Sequence, residues 1–177
     1  MSSFDNYPID IQDLPTFETI EFHRLRPAYR WILVVNTLMF FILLFGVIGF
    51  IYGVNMEEIP AYAFYWASGL LALTLIGRLV LLFVAFKKRG WAIRTHDVMY
   101  RKGVLTFTLV TIPLNRIQHS EIRQSAIARI LGLAKLRIFT AGGNSSDLSI
   151  PGLSMDEATQ LKDYLSKIIN REESGIL

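Results

Sequence analysis

Two long apolar runs divide the chain, Trp31–Tyr52 and Ala63–Phe86. The first is 22 residues without a charge and with Asn36 as its polar mark; the second is 24 residues with the single charge Arg78. At 1.5 Å per residue they rise about 33 and 36 Å as helices, enough to cross a hydrocarbon core of about 30 Å with some tilt. The pattern predicts a membrane hairpin, because so short a chain has too little polar sequence to surround two such helices.

After Gly90 the period changes from helical to twofold. Trp91, Ile93 and Thr95 alternate with Ala92 and Arg94, which reads as a strand, and His96-Asp97 reads as a turn. Val98–Arg101 resumes the strand pattern, Lys102-Gly103 reads as a hairpin turn, and Val104–Thr111 is rich in β-formers up to the break at Pro113. Ile117–Ile122 predicts a further strand, and Gln124–Gly132 a short helical turn closed by its glycine. Lys135–Thr140 alternates again, Ala141–Ser146 is a loop, and Asp147–Ile150 is a short strand. Ser154 and Glu157 form a capping box ahead of Ala158, Leu161, Leu165 and Ile168, an apolar stripe at helical spacing. The soluble part is thus antiparallel strands covered by one amphipathic helix. The boundaries read as a tail over 1–30, spans over 31–52 and 63–86, a domain over 90–170 and a fraying tail over 171–177.

Charge orients the hairpin. Arg24, Arg26 and Arg30 precede the first span and Lys87, Lys88 and Arg89 follow the second, whereas the connecting loop holds Glu57 and Glu58. Basic flanks stay in the cytoplasm, so both termini are expected inside. Tyr29, Trp31 and Trp91 fall at the inner interface and Tyr52, Tyr62, Tyr65 and Trp66 at the outer one, where amphipathic rings are favoured. Asp5, Asp10, Asp13, Glu18 and Glu21 make the first 22 residues acidic, and that stretch reads as a cytosolic tail rather than a signal peptide.

Asn36 and Arg78 lie at similar depth in an antiparallel hairpin, so Arg78 is expected to bond Asn36 or a carbonyl, or to snorkel inward. An intramembrane charge also raises the reading of an ion or substrate path, although neither span holds an acidic partner. Gly49 and Gly53 have the spacing that lets helices approach closely, within the hairpin, in a homodimer or against another membrane protein.

The ordered series Trp91–Leu105, Ile112–Gln118, Gln124-Ser125 and Leu131–Gly142, together with Leu14-Pro15, Glu18 and Leu25-Arg26-Pro27 ahead of two spans, resembles the bacterial pleckstrin-homology-like (PH) domain of YdbS-like membrane proteins. The resemblance covers nearly the whole chain. It implies an α+β PH-like domain after the two-helix transmembrane hairpin: antiparallel bent sheets or a partial barrel capped by the C-terminal helix. It implies no reaction and no catalytic residues.

The chemistry-bearing motifs are missing: no phosphate-cradling glycine loop, no zinc-ligand helix and no nucleophile elbow. There is no cysteine, and His23, His96 and His119 have no ligand spacing, so no metal, cofactor or catalytic residue is expected. Asn144-Ser145-Ser146 matches a glycosylation sequon that has no meaning in the cytoplasm. From Lys87 onward 14 Lys and Arg face 8 Asp and Glu, a surplus of six. Lys87, Lys88, Arg89, Arg94, Arg101 and Lys102 are the candidates for contact with anionic headgroups. Nucleic acid is not expected, because these cations are not interleaved with exposed aromatics. Three readings follow for a bacterial inner-membrane protein: a non-enzymatic module that binds a protein partner (a membrane protein or a second copy), an anionic-lipid sensor, or a subunit of a transport complex.

Overall fold

The computed structural model describes residues 20–141 and 147–173, with side chains described through Ile169. The acidic positions from Asp5 to Glu18, the Gly142–Ser146 loop with its sequon, and residues 174–177 lie outside the described residues.

A short strand, β1 (His23–Arg24), opens the fold. Helix α1 (Tyr29–Val54) and helix α2 (Ala61–Lys87) follow, each a few residues longer than its apolar run. The extension comes from caps. Asn55 closes α1 by donating from its backbone N–H and its Nδ2 to the Ile51 carbonyl, and extended Pro60 starts α2. Lys87 ends α2, where a cation complements the helix dipole. Both helices are long and apolar enough to cross a membrane, and most of their surface is left uncovered by the rest of the chain. Tyr52 stacks on Phe64 at 4.5 Å where the two helices meet at the ends far from the lobe.

Two antiparallel sheets make the lobe. The first has the order β1-β2-β3-β4, with β2 (Gly90–Ile93), β3 (Asp97–Lys102) and β4 (Thr108–Pro113). The second has the order β5-β6-β7, with β5 (Ile117–Arg123), β6 (Leu133–Thr140) and β7 (Leu148–Ser154). A 3-10 turn over Leu114–Arg116 joins the sheets, and α3 (Ala126–Ile130) lies between β5 and β6 with Ser125 as its cap. Helix α4 (Met155–Glu173) covers the second sheet. Leu136, Ile138, Ile150, Leu153, Leu165 and Val98 are fully buried between the layers. The capping box forms as read: Glu157 N–H donates to Ser154 Oγ at 3.1 Å and Ser154 N–H to Glu157 Oε2 at 2.8 Å.

Three local expectations change. Val104–Phe107 is a loop rather than strand, and β4 begins at Thr108 and runs through Pro113. Gly103 there has φ +111°, and the loop folds back so tightly that a Cβ on it would stand 1.8 Å from the Thr106 carbonyl oxygen. Asp97 belongs to β3, because its side chain accepts from Arg94 Nε at 2.7 Å and its carbonyl from Arg94 N–H, which shifts the turn back one residue. Strand β7 extends to Ser154, past Pro151 and Gly152.

The largest difference is β1. His23 pairs with Trp91 and Arg24 with Gly90, so the chain before the first span is a strand of the lobe's first sheet. The hairpin is therefore inserted between two neighbouring strands. Only residues 25–28 lead into α1, and only residues 88–89 lead out of α2. Both flanks of the hairpin consequently lie on one side of it.

Candidate functional site

The seat of the hairpin on the lobe is built from small residues and their close neighbours. Leu25 is 3% exposed and joins the main core. Arg26 donates its N–H to the Gly152 carbonyl at 3.0 Å, and its guanidinium meets Glu157 at 2.7 Å. Gly152 has φ +70°, and a Cβ on it would stand 2.7 Å from the Tyr29 Cβ, so the first turn of α1 rests directly on β7. On the other strand of the seam, a Cβ on Gly90 would meet Phe22 at 3.0 Å and the His23 carbonyl at 3.2 Å. The Phe22 ring carries the Arg101 guanidinium at 4.1 Å, and His23 stacks on Trp91 at 4.8 Å.

Among the described residues one hollow, about 570 Å³, opens at the seat itself, lined by Arg24, Leu25, Arg26, Arg30, Lys87 and Arg89, and three more lie around it. The largest of these three, about 780 Å³, lies between the lobe-side halves of α1 and α2 and is floored by Gly103–Thr106. Asn36 and Arg78 both line it. No hydrogen bond joins them among the described residues. A second cleft, about 490 Å³, is lined by Lys87, Lys88, Arg101, Gly103 and Phe107. The third, about 680 Å³, opens between the first two turns of α1 and the outer face of the second sheet.

The six cations proposed for headgroups therefore separate. Lys87, Lys88 and Arg101 converge on one cleft, with Lys102 exposed next to them. Arg89 and Arg101 both have a buried Nε; Arg89 lies near Tyr100, whose hydroxyl is pushed up to about 12 by burial, against the opposing pull of the Arg89 charge. Arg94 is committed to Asp97 at the far end of β2, and its pairing raises its own proton affinity. It does not belong to the patch.

A Cβ on Gly49 or Gly53 would meet nothing within 4 Å, so neither position is packed closely within the hairpin.

A cationic group escaped the sequence reading. Arg123, Lys135 and Arg137 line the cleft beside Ile32, Leu33 and Asn36 of α1. The register pairs Arg123 with Lys135 and Glu121 with Arg137, which puts all four on one face. Glu121 bridges Arg137 at 2.6 Å and Arg123 at 2.7 Å. Period-two spacing of cations across two strands was the available signal, but only the pairing shows that both strands face α1.

Comparisons with known proteins agree with this architecture. The family model described as bacterial PH domain matches residues 33–169. A transmembrane protein named YdbS, from Bacillus subtilis, is 33% identical over 109 residues, which is 59% of this chain and 67% of that protein. No solved structure matches the chain.

Proposed function

The chain belongs to the bacterial PH domain family, and on that premise we propose that it is a non-enzymatic membrane-anchored module. Its PH-like lobe presents a protein-binding surface at the cytoplasmic face of the bacterial inner membrane. The observation that carries this reading is the insertion of the hairpin between β1 and β2, which holds the lobe in one orientation to the bilayer instead of leaving it on a tether. A lobe so held can meet a partner that is confined to the same membrane. The asymmetry of Arg24, Arg26, Arg30 and Lys87–Arg89 against Glu57 and Glu58 supports the cytoplasmic side. Strand β5 ends the second sheet with α4 packed alongside, a geometry that accepts an added strand. Gly49 and Gly53 leave a smooth helix face for a lateral contact within the membrane. The polar pairs of the lobe hold structure together: Asp147 takes both the N–H and the hydroxyl of Thr140, and Glu121 ties β5 to β6. That use of its polar groups supports a binding role over a reaction.

The test is photo-crosslinking in native membranes from Gln118 on β5 of the full chain. The reading expects a discrete protein adduct, lost when the position is moved to the exposed Glu57 in the opposite loop. Recovery of lipid adducts alone would overturn it.

A second reading, contact with anionic headgroups, is favoured by the cleft that places Lys87, Lys88 and Arg101 beside the inner ends of the spans.

A further inference from the structure

Exposed large apolar side chains are expected all over two membrane helices, but not on a loop of the lobe. Val104, Leu105 and Phe107 nevertheless stand together on the connection between β3 and β4, with Leu105 87% exposed and Phe107 56% exposed. Single exposed apolar residues need no explanation, whereas a cluster of three on one loop marks a contact surface. Gly103 fixes the loop's shape through its positive φ, so the cluster is already formed.

The position of the loop says what covers it. Val104 and Leu105 line the same cavity as Leu81, Leu82 and Ala85 of α2 and Thr37 of α1. Tyr52, Tyr62 and Tyr65 mark the opposite interface, and a core of about 30 Å takes about 20 residues of helix. Counting from them toward the lobe, the near edge of the hydrocarbon falls at about Ile32 on α1 and about Leu82–Ala85 on α2. The loop is therefore level with the boundary between headgroups and acyl chains. Around it, Lys87, Lys88, Arg101 and Phe107 share a cleft.

We propose that Val104, Leu105 and Phe107 form a wedge inserted into the leaflet on the lobe side, with the Lys87, Lys88 and Arg101 cations at the phosphate level above it. The wedge is a third membrane attachment, beside the two spans. Its backbone stays in the interfacial zone, where water satisfies the groups that an irregular loop leaves unpaired. The inference rests on the spans lying in the bilayer and not on the lobe having a protein partner.

The chain lacks cysteine, so single cysteines report cleanly. Leu105→Cys, Val104→Cys, mid-span Leu73→Cys and exposed Lys167→Cys at the far end of α4 are labelled with an environment-sensitive fluorophore. The full-length proteins are reconstituted in phosphatidylethanolamine–phosphatidylglycerol vesicles. At 104 and 105 we expect lipid-borne quencher placed high on the acyl chain to cut emission at least twofold, and aqueous iodide to leave it unchanged. At 167 the two quenchers should behave the other way round. Iodide quenching at 105 equal to that at 167 would overturn the wedge, as would shielding from both quenchers, which reports a protein contact. If the label at 73 also escapes a second quencher placed deep on the acyl chain, the membrane placement itself is what failed, and the wedge falls with it.

Discussion

Gly152 does two things at one position: its positive φ turns β7, and its bare Cα admits Tyr29. Gly152→Ala would force a left-handed backbone on an L-residue and push the first turn of α1 off the sheet. The strain alone costs about 1–2 kcal/mol, and the collision adds to it. A fall in the unfolding midpoint of the detergent-solubilised chain checks this, with Gly132→Ala as the comparison. That position also has positive φ, 64°, but open space around it. Glu157 carries a pH expectation. Burial pushes its carboxyl up, but the hydrogen bond from Arg26 and those at Ser154 outweigh it and hold the carboxyl below its ordinary value of 4.5. A depressed folded value contributes stability above the unfolded value, and that contribution is lost as pH falls through the folded one. Acidification below about pH 4.5 should therefore weaken the native chain more than Glu157→Gln, measured as the difference in thermal midpoint between neutral and acidic buffer. The capping box was legible because both partners sit three residues apart. The Arg26 contact was not, because it joins positions 131 apart in sequence.

Among elements, those with long unmixed patterns were readable: both spans, β5, β6 and α4. Strand β1 was not, since two residues carry no period and His23-Arg24 is exposed on both sides. Its existence depends on β2, which lies beyond the entire hairpin. The Val104–Phe107 stretch misleads for the opposite reason. Its composition suits a strand, but the tight fold of Gly103 onto Thr106 rules out extending the ladder, and the apolar side chains are left for the membrane. In α4 the helical stripe does what its spacing implies. Leu165 is 1% exposed against the second sheet, so Leu165→Ala should cost about 2–5 kcal/mol, read by chemical denaturation of the lobe's circular dichroism signal. Gly49→Ile with Gly53→Ile should leave that signal and the hairpin intact, given the open space at both. If the face serves a lateral contact, the pair should abolish crosslinked higher species in native membranes.

For the whole molecule, the hairpin is an insertion in the lobe's first sheet. The fragment from residue 90 onward lacks β1 and the buried Leu25. Deleting residues 1–28 should thus destabilise the lobe although it removes nothing C-terminal to the spans; protease resistance of the lobe in membranes measures this. Arg78 and Asn36 line a hollow that ends on the Gly103–Thr106 loop, so a transport role would have to pass through that floor. Arg78→Leu is expected to leave expression and assembly unchanged if Arg78 only sets helix depth, as judged by yield and by native-gel migration.

The order of synthesis gives the inserted hairpin one more consequence. The ribosome releases β1 first, then about sixty residues bound for the lipid, and only afterwards the strand that β1 must join. Closure of the sheet thus waits on the insertion machinery. A chain whose helices fail to enter the bilayer holds β1 and β2 apart and displays an open strand edge to the cell's proteases. Maturation of the lobe becomes a receipt for successful delivery of the spans.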